Sequence, residues 1–150
     1  MTALAAIHAA FDGVPSPAPP SRTLRQAEAW DHYDVVDRSK DHEGRWQDLP
    51  AAHIRACQNA LPHLDAQGIR YYLPALMCHY LEHTVEQSQW GFDSLLFTLG
   101  PASEGLGQYR KQRMALLTDE QCRAIALFLS EVEAEEEIVA LWRKWLPEPG

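Results

Sequence analysis

Residues 118–129, Thr-Asp-Glu-Gln-Cys-Arg-Ala-Ile-Ala-Leu-Phe-Leu, decide the class of fold. Thr118 and Gln121 have the spacing of a capping box, in which the hydroxyl accepts from the amide three residues on and the glutamine reaches back to the threonine amide. Asp119 and Glu120 bring negative charge into the first turn, where the helix dipole favours it. Cys122, Ile125, Ala126 and Leu129 then fall at i, i+3, i+4 and i+7, one apolar stripe of an α-helix. Such a stripe needs other apolar surfaces to cover it, so the flanking segments matter.

Upstream, Leu73, Leu76, Met77, Tyr80 and Leu81 form a second helical face, predicted to run to about Thr84 and to be the most buried. Downstream, Ile138, Leu141, Trp142 and Trp145 make a third, stopped by Pro147. The three stripes, centred on Leu76, Ile125 and Leu141, are expected to collapse on one another. Shorter helices are predicted over 2–12, capped by Thr2 and ended by Gly13, and over 24–33, where Thr23 and Gln26 form a second capping box. Two more are predicted over 50–61, from Pro50 to the break at Pro62, and over 92–99, with a flexible connection at 105–107. No segment alternates as a half-buried strand does, and no Asn-Gly or Asp-Gly hairpin signal lies between apolar runs. The expected fold is all-α, a compact multi-helix bundle without internal repeats.

Residues 14–23 contain Pro15, Pro17, Pro19 and Pro20, which cannot continue a helix because proline lacks the amide donor and restricts its predecessor. They read as a stiff linker. The chain thus divides into an N-terminal helix and linker at 1–22 and a helical domain at 23–150. The first helix can dock on its own domain or on another molecule. Residues 31–48 are strongly polar and read as a surface loop pinned by Trp46.

With 21 acidic against 13 basic residues among 150, the formal charge is -8. That balance argues against nucleic acid, whose phosphates require clustered Lys and Arg. It favours encounter with a basic protein. Cys57, Cys78 and Cys122 are odd in number and lie in apolar helical patterns, as reduced core thiols do. Residues 1–8 have no basic leader-like region and no stretch approaches 18 apolar residues, so a cytoplasmic protein without a membrane span is expected.

Few patterns carry chemistry. His79-Tyr80-Leu81-Glu82-His83 matches H-x-x-E-H. Histidines four apart share a helix face and could hold one zinc ion, with Glu82 activating a bound water. A catalytic zinc needs a third protein ligand, and no downstream segment supplies a recognisable one. His53 and Cys57 could complete a site with those histidines if their helices pack together. No nucleophile elbow, P-loop or dinucleotide cradle is present, and Cys78 beside His79 is no dyad, because helix neighbours point about 100° apart. The loop carboxylates Asp31, Asp34, Asp37, Asp41 and Glu43 could instead meet the basic cleft of a partner. The acidic run at 131–137 suits the start of the last helix.

Residues 68–75, Gly-Ile-Arg-Tyr-Tyr-Leu-Pro-Ala, and 117–125, Leu-Thr-Asp-Glu-Gln-Cys-Arg-Ala-Ile, together resemble a bacterial domain family of unknown function. The resemblance spans about 23–129, with a tryptophan like Trp46 ahead of the first segment. It implies a small stand-alone bacterial protein and transfers no catalytic residues. The function expected is a non-enzymatic interaction protein without a cofactor, such as an immunity or inhibitor protein that neutralises a basic toxin or effector. A zinc-dependent hydrolase using His79, Glu82 and His83 is the second expectation. An adaptor docking through its first helix is the third.

Overall fold

The computed structural model describes residues 1–33, 38, 41–102 and 107–146. They form eight α-helices: α1 (Ala3–Ala10), α2 (Leu24–Asp31), α3 (Ala51–Ala56), α4 (Ala66–Glu82), α5 (Trp90–Leu99), α6 (Gly107–Arg113), α7 (Asp119–Glu131) and α8 (Glu136–Trp142). Short 3-10 turns at Trp46–Asp48, Leu61–His63, Thr84–Ser88 and Arg143–Trp145 complete the path. No strand occurs among the described residues, so the fold is all-α. None of the described helices is long and apolar enough to cross a membrane.

The centre is α4. It begins two turns earlier than its strongest apolar run, at Asp65, whose side chain accepts from the Gly68 amide at 3.0 Å. Twelve of its 17 residues are buried, from Gly68 to Tyr80, so it has almost no solvent face. Pro74 sits inside it, where it removes one ladder hydrogen bond. Burial on every side holds the helix continuous there. The helix expected over 50–61 is in fact only α3. The backbone turns at Cys57, and residues 61–63 form a separate 3-10 turn around Pro62, a residue that cannot donate into an α-helical ladder.

Around α4 the two best-capped helices behave as their sequences require. Both capping boxes are complete, Thr23 with Gln26 and Thr118 with Gln121. Cys122, Ile125, Ala126 and Leu129 all face inward from α7. The helix most closely packed on α7 is α1, which runs antiparallel to it: the Ala3 amide donates to Glu131 Oε1 at 2.8 Å, and Gln121 Nε2 donates to the Ala10 carbonyl at 3.2 Å. Ile7 and Phe11 are fully buried in the common core. The first helix therefore docks on its own chain.

The proline-rich segment is held as well. Arg38 donates to the Pro17 and Ser21 carbonyls at 2.6 and 2.7 Å, and the Ser21 hydroxyl donates to Asp65 Oδ2 at 2.5 Å. Trp46, expected to pin the polar loop, is 2 % exposed and donates its indole N–H to the Phe11 carbonyl at 2.8 Å. Tyr71 adds a second pin by donating its hydroxyl to the Gly44 carbonyl at 3.0 Å.

On the last stripe Ile138 and Trp142 are buried, and Trp142 donates to the Leu99 carbonyl at 2.7 Å. Leu141, the expected centre, is 39 % exposed. The buried face is rotated about the helix axis toward the Ile138–Trp142 edge, because α8 is anchored by the indole hydrogen bond rather than by its leucine. Helix α6 was not foreseen. No residue of it is buried; Arg110 and Arg113 fasten it by donating to the carbonyls of Leu99, Leu61 and Leu64 at 2.5–3.0 Å.

Helix α7 ends on a Schellman arrangement: the Ala134 amide donates to the Leu129 carbonyl and the Glu133 amide to that of Ser130. Glu133 occupies the left-handed position, φ 54°, where a side chain is disfavoured. Glu133→Gly is expected to stabilise the fold by about 1 kcal/mol, raising the melting temperature by about 2–4 °C in a thermal scan. Trp46→Phe keeps most of the apolar volume but removes the indole donor, leaving the Phe11 carbonyl with the Val14 amide alone, at 3.2 Å. Urea denaturation should show a loss of about 0.5–1.5 kcal/mol, and an unchanged midpoint would mean the indole hydrogen bond is dispensable.

Candidate functional site

Two regions bear on function: the C-terminal end of α4, and the C-terminal end of α2 with the loop that follows.

At the end of α4 the helix stops at Glu82, and His83 takes the C-cap position with φ −126° and ψ 69°. The two histidines four residues apart do come together. Their rings stack with centroids 4.5 Å apart and planes at 23°. The His83 Nδ1–H donates to the His79 carbonyl at 2.9 Å, which leaves Nε2 of His83 as the acceptor nitrogen. His79 is 5 % exposed, and its Nε2 donates to Glu86 Oε1 at 3.1 Å. Glu86 belongs to the 3-10 turn Thr84–Ser88, so the chain reverses just far enough after α4 to bring this carboxylate back over the imidazole.

Arg55 of α3 grips Glu86 from the other side, with Nη2 3.0 Å from Oε2 and Nε 3.1 and 3.3 Å from the two oxygens. The Arg55 hydrogen bond, helped by that of His79, pulls the Glu86 carboxyl down to about 2. Glu82, the acid of the H-x-x-E-H pattern, is exposed and lies outside the His79–His83–Glu86 group. It does border the same cleft, of about 150 Å³, whose walls include Trp46, Leu49, Ile54 and Cys78. His53 of α3 lies in a different cleft, with Cys57 and Arg25, so the histidines of α3 and α4 do not form one site.

The acidic loop divides. Asp41 is turned inward, its side chain 2 % exposed and 2.8 Å from Arg25 Nη1. Asp31 remains exposed while pairing with His63 Nε2 at 2.9 Å, and Glu43 is exposed. Asp34 and Asp37 lie outside the described residues. The sequence reading overlooked the aromatic rings beside these acids. Trp30 is 53 % exposed and Tyr33 97 %, on either side of Asp31 and His32. Arg22 lies over the Trp30 ring at 4.1 Å, and its guanidinium also donates to the His63 carbonyl at 3.2 Å. Tyr33 has φ 59°, the left-handed position following the helix C-cap, normally given to glycine or asparagine. Large aromatics within a run of polar residues were the available signal.

Cys78 lines the cleft beside the histidines, but no thiol belongs to the His79–His83–Glu86 group. All three cysteines are buried, and burial pushes Cys57 up to about 11 and Cys78 up to about 12.

An all-α fold built around one buried helix, with a histidine–glutamate group at one end and an aromatic–acidic corner elsewhere, is what the described residues define. The chain belongs to DUF6714, a family of unknown function, whose model matches residues 2–145. That match takes in α1, the proline-rich segment and α8, well beyond the 23–129 span suggested by the two resembling segments. No curated protein and no solved structure matches the chain.

Because the thiols are buried and poorly ionised, the native protein should react with Ellman's reagent at pH 8 far more slowly than free cysteine does, and all three thiols should titrate in guanidinium. A single thiol reacting natively at the free-cysteine rate would contradict their placement.

Proposed function

We propose that the protein acts without catalysis, by binding a basic protein partner, a toxin or effector, through the corner at the end of α2. The observation that carries this reading is the pair of exposed aromatics, Trp30 and Tyr33, flanking the exposed carboxylate of Asp31. Aromatic rings are over-represented at binding hot spots because they bury a large area and lose few rotamers on doing so. A carboxylate between two such rings adds charge selectivity, and the overall charge of -8 speeds capture of a cationic partner.

The corner is also firmly backed. Asp31 is tied to His63, Arg22 spans Trp30 and the His63 carbonyl, and Asp41 fixes Arg25 from within, so the rings are presented on an ordered base. Such preorganisation lowers the entropy lost on binding. Glu43 is a second exposed carboxylate on the same loop; Asp41 is turned inward and leaves contact with a partner to Asp31 and Glu43.

The test is co-expression with the basic product of a neighbouring gene. The expected result is a complex that survives purification and relieves that product's toxicity. Tyr33→Ala, at a 97 % exposed position, should weaken binding by about 2 kcal/mol, roughly 30-fold, without lowering the melting temperature; Trp30→Ala should weaken it similarly while also losing the Arg22 stacking, and raised salt should slow association. A chain that is recovered alone and relieves no toxicity ends this reading. Binding that is indifferent to both aromatic variants would move the interface elsewhere.

A further inference from the structure

We propose that His79, His83 and Glu86 form a binding site for a divalent transition metal, zinc by its donor set, at the junction of α4 and the turn that follows it. One donor atom from each of the three residues lies within 4.8 Å of the others. Tetrahedral zinc with bonds of about 2.0–2.1 Å separates its ligands by about 3.3 Å, and the His79 Nε2 to Glu86 Oε1 distance is already 3.1 Å. The other donor separations, within 4.8 Å, shorten by side-chain rotation when the ion binds.

The surroundings match what ligands to a metal require. Metal-bound histidines usually donate their second ring N–H to a carbonyl or carboxylate, which fixes the tautomer and orientation; His83 donates Nδ1–H to the His79 carbonyl and keeps Nε2 free. A ligating carboxylate is itself usually hydrogen-bonded, and Arg55 holds Glu86 through both oxygens. Binding through His79 Nε2 requires only that the proton on that nitrogen move to Nδ1 or leave. His79 is almost wholly buried, so its ring is already ordered, and the adjoining cleft has Trp46, Leu49 and Ile54 in its walls.

Two imidazoles and one carboxylate select zinc over magnesium and calcium, which prefer oxygen alone. Three protein ligands leave a fourth position for water or a partner's side chain. The carboxylate ligand is Glu86; the acid inside the H-x-x-E-H pattern, Glu82, is not required. This site is independent of the aromatic corner at α2, and either can fail without the other.

The experiment titrates the chelator-treated full chain with zinc chloride by calorimetry and follows its melting temperature, with magnesium chloride as the comparison. One zinc ion per chain and a higher melting temperature are expected, with no shift from magnesium. His83→Ala, at a half-buried position, should weaken zinc binding more than about 100-fold, exceeding the 10–100-fold expected of the outer partner Arg55→Met. Glu82→Gln should leave affinity unchanged. Circular dichroism checks that each variant is folded, and His83→Ala decides the matter if Glu86→Gln fails to fold. Absence of zinc binding, undiminished affinity in His83→Ala, or equal stabilisation by magnesium would each overturn the site.

Discussion

A helix without a solvent face sets the terms for everything around it. From Gly68 to Tyr80, α4 turns tyrosines, leucines and a methionine in all directions, so a single apolar layer on one side cannot satisfy it. Cover comes from α1 and the 3-10 turn at Trp46 on some faces, and from α6 and the turn at Thr84–Ser88 on others. Most of the remaining helices are short, of six to ten residues, and would be marginal alone. They persist because each closes part of the same core. The continuity of α4 through Pro74 has the same origin: packing on every side outweighs one missing ladder hydrogen bond.

Short elements leave many carbonyls and amides near the core, and long polar side chains meet them. Arg113 reaches two carbonyls at the 61–64 turn, Arg38 two in the proline-rich segment, and Arg110 one at the end of α5. Gln58 accepts from the Gly91 amide at the start of α5, and Trp46 and Trp142 each donate to a buried carbonyl. The arginine bonds are charge-assisted and stronger than the neutral ones, and together they take the place of the helix ladders that irregular segments lack. The polar residues read as surface are thus partly internal fastenings.

That double use explains what the sequence disclosed and what it withheld. The capping boxes at Thr23 and Thr118, the stripe Cys122–Ile125–Ala126–Leu129 and the anchoring of Trp46 were legible because local spacing determines them. Helix α6 was not, since Gln-Tyr-Arg-Lys-Gln-Arg has no apolar stripe and is held by arginines reaching distant carbonyls. Leu141 misled for the same reason, its helix being oriented by the Trp142 indole. At the histidine group, the pairing of His79 with His83 followed from helical spacing. Glu86 did not, because it lies beyond the end of α4 and arrives by a turn whose path no periodicity encodes. Asp41 and Asp31 show the limit on the acidic loop: composition identified a negative segment, and only tertiary contact sorted the buried carboxylate from the exposed one.

The antiparallel pairing of α1 with α7 has a consequence for how the protein is made. The Ala3 amide meets Glu131, 128 residues away, and the Ala10 carbonyl meets Gln121, 111 residues away. On the ribosome, Ile7 and Phe11 therefore emerge well before the α7 part of their cover has been synthesised, while the Trp46 and α4 parts arrive earlier. Contacts this distant in sequence slow folding and leave apolar groups exposed in the interval. The prolines at 15, 17, 19 and 20 deny the early helix any continuation, so its first partners are the turn at Trp46 and α4, and the last third of the chain completes its cover.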